Sequence, residues 1–265
     1  SHCQQLTSLS LEDVEEDREA GEEIAAALSK VPKEHLKELR IGDLSVNTAE
    51  TFLKPKPPKL RTLSASLSDL SILSHSNLAG CLEELDLRAM LPLPLSVDKM
   101  KPLITLLPSL SLLSALRLTV PVSIIDWATL SYPSLRSECP VWHFPRLQKL
   151  DVHAELLVAL PRFSAPQLRR LDTNATGRAL ADLLEGGGCP NLEKVVNFAG
   201  YTVGWDDSGA CSAALILSSA SRTNWPQTLT ELDFLSDILC ARTVLAIADT
   251  WKQLQYLRLC VPGSL

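Results

Sequence analysis

Apolar residues recur along this chain in a fixed order: two leucines three positions apart, then another apolar residue two positions later. The stretch LQKLDV at 147–152 shows the pattern, and LRRLDT at 168–173 repeats its first two leucines. Side chains of an extended strand alternate between two faces, so Leu150 and Val152 share one face while Lys149 and Asp151 share the other. The pattern predicts short strands with one apolar and one polar face.

Ten copies of this phrase run from residue 6 to residue 259, with leading leucines 21 to 37 residues apart. Recurrence at this spacing is typical of a leucine-rich-repeat solenoid, an α/β fold with a parallel sheet on its concave side and helices and irregular returns on its convex side. The copies are Leu6-Leu9-Leu11, Leu36-Leu39-Ile41, Leu60-Leu63-Ala65, Leu82-Leu85-Leu87, Leu113-Leu116-Leu118, Leu147-Leu150-Val152, Leu168-Leu171-Thr173, Leu192-Val195-Asn197, Leu229-Leu232-Phe234 and Leu254-Leu257-Leu259.

Two rival frames fit the same template, one from Leu67 through Leu70 to Ile72 and one from Leu107 through Leu110 to Leu112. With 52 leucines in 265 residues, chance matches are expected. The sequence therefore leaves the frames of the third, fifth and eighth copies undecided. The regular spacing favours the set of ten, and we predict one domain, 1–265, of about ten irregular repeats. Because the chain opens and stops next to a copy without a polar capping unit, we expect a fragment of a longer protein.

The segments between copies predict helices and loops. Apolar residues at helical spacing favour helices near 97–107, 178–185, 210–221 and 237–250, and the acidic run 12–23 suits the start of a helix. Two returns are long, 119–146 and 199–228, and extra length in a repeat often forms a binding loop. The second contains the loop residues Tyr201, Trp205, Asp206 and Asp207, typical of a partner-binding hot spot, although a self-packed loop is an alternative.

Composition restricts the class of protein. The net charge of −6 argues against nucleic-acid binding, and no apolar run is long enough to predict a membrane span. Seven scattered cysteines lack any C-x-x-C pair, which favours reduced thiols, no metal site, and a cytoplasmic or nuclear location. The triple glycine at 186–188 lacks the Lys-Ser/Thr of a phosphate-binding loop, so no cofactor is expected.

Candidates for catalysis are few. The five histidines are dispersed, and the best local pair is Asp151 with His153, which the strand pattern places on one face. No nucleophile accompanies this pair. We therefore predict that the chain is not an enzyme, with an enzyme that uses Asp151 and His153 as an alternative.

The polar face of the strands is the predicted binding surface. Its mixture of both charge signs with an exposed aromatic residue favours a protein partner over a small molecule, although solvated ion pairs without a partner are an equal alternative. The predicted concave-face residues are Arg40, Asp86, Arg88, Arg117, Lys149, Asp151, His153, Arg170, Asp172, Asp233, Tyr256 and Arg258.

One motif resembles a known family. Cys189-Pro190-Asn191-Leu192-Glu193-Lys194-Val195 resembles the opening of cysteine-containing repeats in F-box substrate receptors, with variants at 81–87 and 144–150, and the irregular repeat lengths resemble fungal F-box-type proteins. The resemblance implies substrate recruitment for a ubiquitin ligase and no chemistry in the chain. No F-box motif occurs in the sequence, so one would have to precede Ser1. A structural or scaffolding subunit of a stable multiprotein assembly is the alternative.

Overall fold

The computed structural model divides the chain into two compact units, unit 1 (Ser1–Leu135) and unit 2 (Arg136–Leu265). The single-domain expectation stays a prediction. The residues that the structure describes are 5–11, 23, 26–27, 29–42, 59–67, 80–89, 103, 105–119, 141–152, 163–173, 188–197, 225–235 and 241–260. Structural statements below concern these residues.

Unit 1 contains five parallel strands that pair in chain order. They are β1 (Ser8–Leu11), β2 (Glu38–Ile41), β3 (Thr62–Leu67), β4 (Glu84–Ala89) and β5 (Ala115–Thr119). The register aligns Leu9 with Leu39, Leu39 with Leu63, Leu63 with Leu85 and Leu85 with Leu116. The middle leucine of each copy therefore stands beside that of the next copy.

Unit 2 repeats this arrangement with five more parallel strands and adds a small second sheet. Its strands are β6 (Trp142–His143), β7 (Lys149–Val152), β8 (Phe163–Ser164), β9 (Arg170–Thr173), β10 (Lys194–Asn197), β11 (Glu231–Leu235) and β12 (Tyr256–Cys260). The order in the larger sheet is β7-β9-β10-β11-β12, and β6 pairs with β8 alone. The register again aligns Leu150, Leu171, Val195, Leu232 and Leu257.

All ten predicted copies coincide with strands of these parallel sheets, which confirms the frames. The third, fifth and eighth copies pair through Leu63, Leu116 and Val195, as their predicted frames require. The rival frame from Leu107 is wrong, because Leu107 begins a 3-10 helix, Leu107–Ser109. Leu67 is the last residue of β3, and the rest of the frame that begins there lies outside the described residues.

The leucine columns form the core of each unit. Leading and middle leucines of interior copies are 0 to 3% exposed, among them Leu39, Leu63, Leu171 and Leu192. Burying one such side chain contributes about 1.5–3 kcal/mol. A single four-residue strand buries too little to be stable alone, so the stacking of copies stabilises each strand.

One hydrogen-bond pattern joins every copy to the preceding copy within a unit. The backbone N–H groups of Lys37 and Glu38 both donate to the carbonyl oxygen of Thr7, at 2.8 and 3.1 Å, and Arg61 and Thr62 donate in the same way to Lys37. The pattern recurs in unit 2, where Arg169 and Arg170 donate to Gln148. This regular bonding fixes the N-terminal edge of each sheet, which we define as the residues immediately before and after each leading leucine.

The described helices are α-helices of four and ten residues and the 3-10 helix Leu107–Ser109. Residues Trp225–Thr228 form α1, and Ala241–Thr250 form α2, which confirms the C-terminal part of the helix predicted at 237–250. Helical backbone also occurs at Leu103, Thr105 and Leu106, within the predicted segment 97–107, whereas the predicted helices 178–185 and 210–221 lie outside the described residues. None of the described helices has the length and apolar character needed to cross a membrane.

Candidate functional site

The polar side of each sheet, which we call the outward face, presents the residues between the buried positions. In unit 1 one column of this face runs from Arg40 through Ser64 and Asp86 to Arg117 across four paired strands. Arg88 stands on the same face two residues beyond Asp86. The structure thus places four of the predicted binding residues on one surface, since side chains alternate along each strand.

Ion pairs link these residues to one another. Asp86 lies between two arginines, with its Oδ2 3.8 Å from Arg88 Nη2 and 3.9 Å from Arg117 Nη1. Arg40 pairs with Glu38 on its own strand at 2.7 Å. The three arginine side chains are 50 to 55% exposed. Pairs at such exposure contribute about 0–1 kcal/mol, so these charges remain available to a partner at little energetic cost.

In unit 2 the outward face carries two adjacent columns. One column contains Lys149, Arg170, Lys194, Glu231 and Tyr256, and the other contains Asp151, Asp172, Val196, Asp233 and Arg258. The first column begins with three cations and the second with two acids. Complementary neighbours pair, as Lys194 does with Glu231 and Arg258 with Asp233, the latter at 3.5 Å.

Exposure along the outward face of unit 2 is uneven. Asp172 is only 4% exposed and Val196 only 5% exposed. The Arg170 side chain, itself 43% exposed, covers the Asp172 carboxylate with its Nε 2.9 Å from both oxygens. The accessible groups are therefore Lys149, Arg170, Arg258 and the half-exposed Tyr256, whereas Asp172 holds Arg170 in place.

The N-terminal edge of unit 2 forms a cleft that the sequence interpretation missed. It has a volume of about 470 Å³ and is lined by Gln148, Gln167, Arg169, Asn191, Glu193, Thr228 and Thr230. Three internal bonds shape it: Arg169 pairs with Glu193 at 3.5 Å, Asn191 donates to the Pro166 carbonyl at 2.8 Å, and Thr228 donates to the Leu192 carbonyl at 2.8 Å. The sequence feature that could have predicted the cleft is the polar residue on either side of each leading leucine. The alternation of faces within a strand does not include these positions.

The cysteine of the F-box-like motif has a structural role. Cys189 is 4% exposed, and burial raises the pKa of its thiol to about 12, opposed in part by a hydrogen bond from the Ala165 backbone. Phe144 and Ala165 occupy the same position, three residues before the leading leucine, and both are buried. Cys81 does not occupy this position, because it directly precedes the leading leucine Leu82, and it is partly exposed. The cysteine of the 81–87 variant is therefore not equivalent to Cys189.

Several predicted residues lie outside the described part of the chain. They are His153 and the loop residues Tyr201, Trp205, Asp206 and Asp207. The Asp151–His153 pair therefore stays a prediction. Among the described residues, no three His, Cys, Asp or Glu side chains are grouped so as to hold a metal ion.

No protein-family model matches the chain, and no curated protein matches it either.

Proposed function

We propose that this chain is a non-catalytic protein–protein interaction module built as a leucine-rich-repeat solenoid, and that its outward face binds a protein partner. The observation that carries the proposal is the column arrangement. Charged side chains stand on successive parallel strands whose opposite faces are buried in the interior copies, so the strand register sets the spacing of the charges. Preorganised surfaces of mixed sign favour recognition of a protein of complementary charge pattern.

The exposed aromatic residue supports the same proposal. Tyr256 is 49% exposed at the end of the first column of unit 2, next to Glu231 on β11 and two residues before Arg258 on β12. Tyrosine and arginine are enriched among the residues that dominate binding energy at protein interfaces. A tyrosine flanked by charged groups is the composition expected of a hot spot with a polar rim.

Within this class, we propose the substrate-recognition part of an F-box-like ubiquitin-ligase adaptor. The support is the resemblance of residues 189–195 to the opening of F-box receptor repeats, together with the buried position of Cys189. This part of the proposal rests on analogy of sequence, and fold does not by itself imply function.

The experiment is affinity capture of the full chain, identification of the captured protein by mass spectrometry, and a binding titration with that protein. Arg117→Glu and Arg258→Glu reverse exposed charges of the outward face, and each should weaken binding by about 1–2 kcal/mol if its unit contacts the partner. These sites are better than Asp172, whose burial would make charge reversal a folding defect. Unchanged affinity in both variants would contradict the proposal.

The matched control is Lys252→Glu. Lys252 is 70% exposed in the turn after α2, where it pairs with Asp249 at 3.3 Å, and it does not belong to the outward face. The reversal changes net charge by the same amount as each test variant, so any effect of overall charge would appear in it. The adaptor proposal predicts, in addition, that the captured protein is ubiquitinated more slowly in cells that lack this protein.

A further inference from the structure

The N-terminal edge of unit 1 carries a cluster of basic side chains. It consists of His35 and Lys37, which flank the leading leucine Leu36, and of Lys59 and Arg61, which flank Leu60. Because β2 and β3 pair in register, the two turns lie one strand apart, about 4.8 Å. We call these four residues the basic edge.

Hydrogen bonds hold the basic edge together. Lys59 Nζ donates to His35 Nδ1 at 3.2 Å, which joins the two side chains that precede the leucines. The backbone N–H of Arg61 donates to the Lys37 carbonyl at 2.8 Å, which joins the two residues that follow them. The four side chains are thus displayed from a fixed backbone. Lys37 and Arg61, which follow the two leucines, are like charges on adjacent strands, and such a pair does not favour folding.

Few carboxylates oppose these charges. Arg61 pairs with Glu83 at 3.3 Å, but the two side chains are 60 and 45% exposed, so the pair is weak. Glu34 lies exposed in the same turn as His35. Lys37 is exposed and has no ion pair among the described residues. The cations Lys37, Lys59 and Arg61 therefore outnumber the neighbouring carboxylates Glu34 and Glu83, although the net charge of the whole chain is −6.

Unit 2 offers an internal comparison, because its N-terminal edge has the same backbone geometry with different side chains. Its Arg169–Glu193 pair corresponds to Arg61–Glu83, with N to O distances of 3.5 and 3.3 Å. The positions that correspond to Lys37 and Lys59 are the amides Gln148 and Gln167, whereas the position of His35 is taken by the exposed Arg146. Unit 1 therefore has three cations besides His35 at these positions where unit 2 has Arg146 and Arg169, so the excess charge comes from the side chains and not from the backbone of the repeat.

We propose that the basic edge of unit 1 docks an acidic segment of a protein partner, through Lys37, Lys59 and Arg61. Carboxylates spaced along an extended chain match cations on adjacent strands, and ammonium and guanidinium groups form charge-assisted hydrogen bonds with them. A nucleic acid fits less well, because it requires a longer basic stripe than three cations on two adjacent strands. This surface is separate from the outward face, so the inference does not depend on the proposed function.

The test is a fluorescence anisotropy titration of the full chain with a labelled octaglutamate peptide at about 0.1 M salt, where the screening length is about 10 Å. We expect saturable binding that weakens as salt is raised. The double variant Lys37→Ala/Arg61→Ala should lower the affinity about tenfold. The control Arg169→Ala/Lys252→Ala removes two cations and the equivalent ion pair from unit 2, and it should change the affinity less than about twofold.

Three results would overturn the inference: no binding of octaglutamate to the unaltered chain, equal loss of affinity in the two double variants, or tighter binding of a single-stranded oligonucleotide of the same charge. All substituted side chains are exposed, and unchanged thermal unfolding would show that each variant is folded. Failure of the outward-face variants described above would leave this result unaffected, since the probe and the substituted residues differ.

Discussion

Arg170 and Asp172, two residues apart on β9, form an ion pair on the outward face in which the carboxylate is buried. Arg170 Nε lies 2.9 Å from both carboxylate oxygens, and the Asp172 side chain is only 5% exposed. A buried carboxylate loses its hydration and depends on the groups that pair with it. The position of Arg170 on the candidate binding surface is therefore coupled to the stability of unit 2.

Removal of this arginine should destabilise the protein. We expect Arg170→Ala to lower the free energy of unfolding by about 2 kcal/mol, because it leaves a buried charge without its main partner. Arg169→Ala is the matched control, since its partner Glu193 is 48% exposed, and it should cost less than about 1 kcal/mol. Urea denaturation measures both values, and equal losses would contradict the role assigned to burial.

The leucine columns should differ in importance between the interior and the end of the sheet. Leu171 is fully buried in β9, whereas Leu257 in β12 keeps part of its surface exposed. Leu171→Ala should cost about 3 kcal/mol or more, because it removes buried methyl groups and leaves a cavity, and Leu257→Ala about half as much. Denaturant unfolding of the two variants tests this order, and a larger loss at Leu257 would show that β12 is covered more fully than its exposure indicates.

Cys189 should be chemically inert in the folded protein. Burial raises the pKa of this thiol from 9.0 to about 12, so little thiolate forms at neutral pH. We expect an alkylating reagent at pH 8 to label Cys81, which is partly exposed, much faster than Cys189. Mass spectrometry of the digested protein reports each cysteine separately, and equal labelling rates would contradict the prediction.

The same pKa shift predicts a loss of stability in alkaline solution. Because the folded state has the higher pKa, the contribution of the protonated thiol is fully present below pH 9 and decreases as the pH rises from about 9 to about 12. In Cys189→Ala this contribution to the pH dependence should disappear. The measurement is the unfolding midpoint in urea against pH for the two proteins, and parallel curves above pH 9 would rule out a contribution from Cys189.

Lys33 occupies a position at which other copies bury an apolar group. Leu110, Phe144 and Trp251 stand three residues before their leading leucines and are 1 to 3% exposed. Burial lowers the pKa of Lys33, because it removes part of the solvation of the ammonium group. Lys33→Leu should therefore raise stability by about 1 kcal/mol. The exposed Lys30→Leu serves as control, and a decrease in stability for Lys33→Leu alone would show that contacts of the ammonium group dominate.

The interior of the fold was largely predictable because it depends on local alternation. Leu36, Leu39 and Ile41 needed only the spacing of three and then two to be assigned to the buried side, and the structure buries all three. The rival frame from Leu107 failed for a reason that the template does not contain. Leu107 is buried as predicted for an apolar residue, but its backbone is helical, with Pro108 in the first turn.

The candidate site was predictable only as a face. Alternation placed Asp151 and Asp172 on the polar side, and register then placed them on neighbouring strands. It did not distinguish the half-buried Asp151 from the nearly inaccessible Asp172, because that difference depends on how Arg170 folds over its own strand. The cleft at Gln148 and the basic edge at Lys37 were missed, because the residues that flank each leading leucine lie outside the strands.

The sequence by itself determined which residues of each copy face inward, because the two-residue period of a strand is a local property. It also reduced the frame of the repeats to ten copies and two rivals, and the register of the paired strands then selected among them. The tertiary structure alone decided which charges meet. Arg61 and Glu83 are 22 residues apart in the chain, and Arg169 and Glu193 are 24 apart; they become neighbours only after the copies stack in register. Contacts between such residues depend on the register of neighbouring strands and on side-chain conformation, which the pattern of leucines does not encode.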